Sequence, residues 1–271
     1  MKIAISNIAW TAGEDAAVEV LMHRYGIRGL EVAPTRLWEK PLEASDADVQ
    51  AFRARVESQG NRIVALQSLL FGRPELVVFG DAATRAETLD YLRGVLRLGA
   101  RLGAGAAVFG SPKNRRTNGL PSAALRTTAL DFFRAVADSA AECGVCFCLE
   151  PNPSAYGCDY VLTVADALEV IRTVDRPFFK LNLDTGIMHL NGEAVLPTIE
   201  KAMPYIGHLH LSEPNLNVVG SGEVDHLAIR DALCNFGYDG WLSIEMRGGW
   251  SNPDALSVEQ ALQAVTRIYG N

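Results

Sequence analysis

The run Val145-Cys146-Phe147-Cys148-Leu149-Glu150 alternates large apolar side chains with cysteine and glutamate. Successive side chains of a strand point to opposite faces, so Val145, Phe147 and Leu149 share one face, and Cys146, Cys148 and Glu150 the other. The same parity recurs three times downstream. Leu181 and Leu183 alternate with Lys180, Asn182 and Asp184. Leu209 and Leu211 alternate with His208, His210 and Ser212, and Leu242, Ile244 and Met246 alternate with Trp241, Ser243 and Glu245. Four successive strands thus carry a wholly apolar face, suited to packing under helices, and a polar row that points into a barrel interior.

Outward from these four, strand patterns also fall near 2–9, 29–33, 62–69 and 105–111, beside the runs near 145–150, 178–184, 208–213 and 240–246. Amphipathic helical patterns separate them. Segment 257–269 aligns Val258, Ala261, Leu262, Val265, Ile268 and Tyr269 behind a Ser257/Gln260 capping box. Segment 163–173 aligns Val164, Ala167, Leu168 and Ile171 behind a Thr163/Asp166 box, and segment 121–142 starts at Pro121. Eight βα units in succession predict a parallel sheet closed into a (β/α)8 barrel, a single TIM-barrel domain over residues 1–271. The rival is an open doubly wound sheet, and the absence of Gly-x-Gly-x-x-Gly after the first strand weakens it. The longest loops, near 70–81, 111–121 and 214–224, all follow strands, which places them on the catalytic face of a barrel.

Hydrophobic residues make up 48% of the chain, enough for a sizeable core, so disorder is excluded as the main state. Lys+Arg 25 against Asp+Glu 32 gives a net charge of -7 with no basic stripe, which argues against a nucleic-acid partner. The first residues read as a strand and lack the regions of a signal peptide. No stretch reaches the roughly 18 consecutive apolar residues of a membrane span. The odd count of five cysteines speaks against a disulfide framework. A soluble, reduced, cytoplasmic protein is expected, with no membrane partner; a homo-oligomer is compatible with all of this.

Near the C-terminal end of each polar row stands a metal ligand: Glu150, Asp184, His210 and Glu245. Singly, an inward carboxylate is as often a structural ion-pair member, and a lone strand histidine is more often a hydrogen-bonded core residue. Together the three carboxylates would repel one another in a low-dielectric mouth unless a cation sat between them, and one divalent ion brings the site to about −1. Mn²⁺ or Mg²⁺ suits so carboxylate-rich a set, with Zn²⁺ or Co²⁺ also compatible with the histidine. His208, one layer deeper, reads as a hydrogen-bond partner of the site. Lys180 is expected to pair with a buried carboxylate such as Glu31 or to line the core. Candidate substrate contacts are Asn7 and Trp10 ending the first strand, Glu31 in the second, Gln67 ending the third, Lys113 with Arg115 and Arg116 after the fourth, His189, and Arg247 beyond the last. The basic loop residues suit a phosphate or carboxylate, or equally a solvated loop.

The segments Phe147-Cys148-Leu149-Glu150-Pro151-Asn152, Leu183-Asp184-Thr185-Gly186, Gly207-His208-Leu209-His210-Leu211 and Ser243-Ile244-Glu245 resemble the xylose-isomerase-like barrel superfamily. The nearest branch is the sugar phosphate isomerase/epimerase group, ketose 3-epimerases included. The resemblance implies that Glu150, Asp184, His210 and Glu245 bind one divalent metal. It also implies that Glu150 and Glu245 exchange a substrate proton through a metal-bound enediolate of a sugar, sugar phosphate or related polyhydroxy carbonyl compound. Ketose 3-epimerases carry a histidine and an arginine, both holding substrate hydroxyls, where this chain has Ile187 and Leu216; His189 is the nearest imidazole to the first of these. The barrel endonuclease branch needs more histidines than His23, His189, His208, His210 and His226 supply. Against the isomerase or epimerase stand a sugar or inosose dehydratase using the same proton removal, a non-catalytic metal-binding barrel, and metal-dependent hydrolysis.

Overall fold

In a computed structural model, which describes residues 1–270, eight parallel strands close into a barrel in sequence order. The chain runs β1 (Lys2–Ser6), α1 (Asp15–Arg24), β2 (Gly29–Val32), α2 (Asp46–Ser58), β3 (Arg62–Leu66), α3 (Ala82–Leu102), β4 (Ala106–Phe109) and α4 (Ser122–Cys143). It continues through β5 (Cys146–Leu149), α5 (Val164–Val174), β6 (Phe179–Asp184), α6 (Thr185–Leu190), α7 (Val195–Ala202), β7 (Ile206–Ser212), α8 (His226–Asn235), β8 (Trp241–Glu245) and α9 (Ala255–Tyr269). The barrel closes where Lys2 to Ile5 of β1 pair with Trp241 to Ile244 of β8. Among the described residues no helix is long and apolar enough to cross a membrane.

The parity of the strands sorts the core into two parts. Val145, Phe147, Leu149, Leu181, Leu183, Leu209, Leu211, Leu242, Ile244 and Met246 all join the apolar layer between sheet and helices. There Phe147 and Phe179 stack at 6.0 Å, and Phe133 of α4 packs against Phe179 at 5.3 Å. Burying each such ring contributes roughly 1.5–3 kcal/mol, which fixes α4 on the sheet. A smaller cluster fills the barrel interior: Ala4, Val64, Ala65, Ala106, Val108 and Cys148, with Cys146 and Trp241 against it. The Cys146 and Cys148 sulfurs lie 3.8 Å apart, on one side of β5 as alternation requires.

Element ends differ from the sequence reading for local reasons. β1 stops at Ser6, whose hydroxyl accepts the Ile8 N–H and turns the chain into a 3₁₀ helix. β3 and β4 stop short of Ser68 and Ser111, both in the left-handed region at φ 56° and φ 43°. The Thr163/Asp166 capping box of α5 is present in full, and α4 starts at Ser122 with Pro121 as its cap residue. The Ser257/Gln260 box does not form. α9 begins two residues earlier, because the Glu14 carboxylate accepts the N–H groups of Asp254 and Ala255 at 3.0 and 2.8 Å. Ser257 instead donates its hydroxyl to the Asp254 carbonyl.

The indole of Trp241 occupies the barrel floor at the cost of space beside β2. A Cβ on Gly29 would stand 2.5 Å from the Ala4 Cβ and 2.8 Å from the Trp241 ring. Gly29→Ala is expected to destabilise the barrel by about 1–3 kcal/mol through overpacking. A thermal melt would show this as a drop of several degrees, and an unchanged midpoint would contradict the packing described.

Candidate metal centre

Four strand ends converge on one nitrogen. The His210 Nδ1 atom, on β7, lies 3.2 Å from Glu150 Oε1 of β5, 3.8 Å from Asp184 Oδ2 of β6 and 3.1 Å from Glu245 Oε2 of β8. One potential ligand atom from each of the four residues falls within 4.8 Å of all the others. His210 is fully buried, Glu150 and Asp184 are buried, and Glu245 is partly exposed. The four residues are those read from the strand parity.

Neighbours hold Glu150 and Asp184 in place. Asn182 donates to Glu150 Oε1 at 2.7 Å, and Asn152 donates to Glu150 Oε2 at 3.1 Å. Gly110 leaves the room: a Cβ there would collide with Glu150 Oε2. Asp184 Oδ1 accepts the Ser212 hydroxyl and the Ile187 N–H, both at 2.7 Å, so the residue that ends β6 also caps α6. On the other edge of its ring, His210 Nε2 lies 3.0 Å from Glu31 Oε1, and Ser243 donates to Glu31 Oε2. With the Nε2 proton donated to Glu31, loss of the other ring proton to an incoming metal ion would leave the Nδ1 lone pair facing the carboxylates; such carboxylate–histidine pairs orient metal-binding imidazoles.

The electrostatics call for a cation. Burial, reinforced by the Glu150 and Glu245 charges, pushes the Asp184 carboxyl well above the ordinary carboxylate range. Burial likewise raises Glu245. Burial opposes a charge on His210, yet the carboxylates of Glu245, Glu31 and Glu150 hold its pKa well above the usual imidazole value. Burial also opposes the charge on Glu31, but the His210 and His208 imidazoles bring its pKa well below normal. The buried His210 Nδ1 forms no hydrogen bond, although three acids surround it. An unpartnered nitrogen facing three mutually repelling carboxylates fits a divalent ion, and these residues can hold one.

None of the expected substrate contacts lines the cavity of about 130 Å³ above this cluster. Glu31 is fully buried beneath His210, and its ion pairs are with His210 and His208; Lys180 makes none with it. Asn7 and Trp10 turn outward because β1 ends at Ser6, and they line a separate small cavity between α1 and α2. There Asn7 accepts the Ala33 N–H, and the Trp10 indole donates to Asp15. Gln67 is buried against the Ser6 hydroxyl. Lys113 and Arg116 are exposed, His189 is exposed on α6, and the exposed Arg247 stacks over the Trp250 ring at 4.0 Å. Arg115, of the same loop as Lys113, is fully buried, and its three guanidinium nitrogens have no hydrogen-bond partner among the described residues. The cavity wall is instead built from Tyr156, Ile187 and Leu216. Tyr156 escaped the sequence reading because it lies in a loop with no periodicity.

The family model described as "Xylose isomerase-like TIM barrel" matches residues 20–268. The chain belongs to that family. Over 117 residues it is 32% identical to a D-psicose 3-epimerase of Ruminiclostridium cellulolyticum, covering 43% of this chain and 40% of the relative. A D-psicose 3-epimerase of Enterocloster bolteae is 31% identical over 42% of its length, so the chain spans about two-fifths of each of these relatives. A ketose 3-epimerase of Arthrobacter globiformis matches more broadly, at 27% identity over 89% of this chain and 81% of the relative. Among solved structures, a D-psicose 3-epimerase from Clostridium cellulolyticum H10, crystallised with D-tagatose, superposes with a TM-score of 0.81 at 20% identity over the whole of both chains. A 3-keto-D-glucoside 4-epimerase from E. coli superposes at 0.79, with 19% identity over 98% of this chain and 99% of that one. These likenesses show a shared fold.

Three outcomes test the centre. Mn²⁺ added to chelator-treated protein raises its melting temperature, because the ion binds the folded cluster. Since Asp184, Glu245 and His210 all have raised pKa values, protons compete with the ion. The apparent affinity weakens as pH falls, and binding releases protons. Calorimetry in buffers of different ionisation enthalpy reads that release, and heats independent of buffer would count against the assignment. Glu31→Gln, which leaves His210 without its anionic partner, is expected to weaken Mn²⁺ binding about 10–100-fold. Unchanged affinity would mean that Glu31 does not orient the imidazole.

Proposed function

We propose that this protein is a divalent-metal-dependent epimerase or isomerase of a small polyhydroxy carbonyl compound, a sugar or sugar derivative. The observation that carries this reading is the placement of two glutamates, Glu150 and Glu245, at the two flanks of one strand arc. Asp184 and His210 stand between them, and all four aim at a common point. The relatives named as a D-psicose 3-epimerase and a ketose 3-epimerase support the same reading.

A bound divalent ion, Mn²⁺ or Mg²⁺ from the carboxylate-rich donor set, supplies Lewis acidity that makes the C–H beside a chelated carbonyl acidic. The chain's own groups then do the rest. Asn182 and Asn152 hold Glu150 in one orientation. Buried in the low dielectric of the barrel mouth, its carboxylate is placed as one proton acceptor. Glu245, on the opposite flank of the cluster, is placed to deliver a proton from that side. Return to the same carbon from the other face inverts the centre, whereas return to the neighbouring carbon isomerises. Asp184, with one oxygen tied to Ser212 and the Ile187 N–H, acts as a ligand only, as does His210.

Replacing either base by its amide keeps size and removes basicity. Glu150→Gln and Glu245→Gln are each expected to reduce turnover by at least about 10³-fold, within the range general acid–base groups contribute. Solvent-deuterium incorporation into ketoses, followed by NMR on Mn²⁺-loaded protein, measures this. Exchange at near-normal rate in either variant would remove that residue from the acid/base pair. A dehydrated product would turn the assignment toward a lyase.

A further inference from the structure

The cavity above the cluster has one wall that makes few hydrogen bonds. Ile187, 5% exposed, and Leu216, half-buried, present hydrocarbon to it. The polar groups around them are already engaged. Ser212 donates to Asp184 and accepts the Gly186 N–H. The Glu213 carboxylate accepts the Gly220 and Val224 N–H groups and pairs with His226. Asn152 is spent on Glu150.

Tyr156 is the exception. Its oxygen accepts the Asn215 N–H at 2.9 Å, while its hydroxyl proton has no acceptor among the described residues. It lines the same cavity, near enough to Asp184, Glu245 and Glu150 for their charges to add to burial in raising its pKa. The phenol therefore stays neutral and can donate one hydrogen bond to a ligand oxygen.

Leu216 is held there against its backbone preference. Asn215 and Leu216 both lie in the left-handed region, at φ 62° and φ 55°. That region disfavours a branched side chain, and the conformation persists only where surroundings enforce it. Three bonds do so besides the Tyr156 link. The Leu216 carbonyl accepts the Arg247 N–H at 3.1 Å and the Trp250 indole at 2.8 Å, and the Leu216 N–H donates to the Glu213 carbonyl.

We propose that Tyr156, Ile187 and Leu216 form a specificity wall that selects a deoxy-sugar ketone or aldehyde: a substrate presenting a methyl or methylene carbon to Ile187 and Leu216 and one oxygen to the Tyr156 hydroxyl. A hydroxyl turned toward Ile187 and Leu216 would lose its water and gain no partner, which an apolar pocket penalises about 10–100-fold. This deepens the proton-transfer reading of the same site and rests on it.

The test separates binding from turnover. Mn²⁺-loaded protein is titrated calorimetrically with D-fructose, 1-deoxy-D-fructose and 6-deoxy-D-fructose, and solvent-deuterium exchange is followed on the same samples. At least one deoxy analogue is expected to bind about 10-fold or more tightly than D-fructose. Ile187→Asn and Leu216→Gln should narrow or reverse that ratio, and Tyr156→Phe should weaken all three ligands. Retention of the Mn²⁺ thermal shift shows that a variant is folded; if one is not, the wild-type ratio decides alone. D-Fructose binding as tightly as both analogues, or no binding of any of the three, overturns the wall. Preferential deoxy binding without exchange leaves the wall standing and refutes the proton-transfer reading instead.

Discussion

Three carboxylates and one imidazole nitrogen meet inside a low-dielectric barrel, and among the described residues no lysine or arginine forms an ion pair with them. Coulomb repulsion between such groups is large once water is removed, so the arrangement stands only with compensating charge. The protein supplies part of it indirectly. Protons bind more readily to Asp184, Glu245 and His210 than they would in water. The alternative is a doubly charged ion, whose binding would also relieve the repulsion. Folding and ligand binding at this site are therefore coupled through one electrostatic debt.

The scaffold meets this constraint with rigid elements. Each carboxylate arises at or just past the end of a strand, where backbone pairing on both sides fixes its origin, and each of Glu150 and Asp184 has an oxygen tied to a neutral donor. Beneath them, Glu31 with His208, His210 and Ser243 forms a buried platform that sets the ring orientation. The loops after β5 and β7 add what the strands cannot, a wall pinned to the rim by Tyr156, Arg247 and Trp250.

Strand alternation is a period-two signal. The eight-strand barrel and the ring of Glu150, Asp184, His210 and Glu245 could therefore be read from residue order alone. Features that depend on geometry outside that period could not. The register of β2 against β3 shifts between Leu30 and Glu31, and Glu31 serves the floor of the site, not its mouth. Asn7, Trp10 and Gln67 follow strands that end sooner than their β-rich composition suggests, so their side chains are turned to local partners. Tyr156 sits in a 3₁₀ turn, where neither periodicity nor composition announces which side chain faces inward. The start of α9 depends on Glu14, some 240 residues away, and no local capping pattern can reveal a partner that distant.

The junction between β1 and β8 has a consequence for how the chain is made. β1 is translated before the other seven strands, yet one of its edges finds its partner only when Trp241 to Ile244 emerge, and Glu14 waits equally long for the backbone of Asp254 and Ala255. While the strands between β1 and β8 are being made, the growing sheet is an open crescent with a bare flank, the kind of surface that invites pairing with a stranger. β1 is five residues long and begins with an exposed lysine, a brevity and a charge that blunt this flank until the last strand shuts the ring.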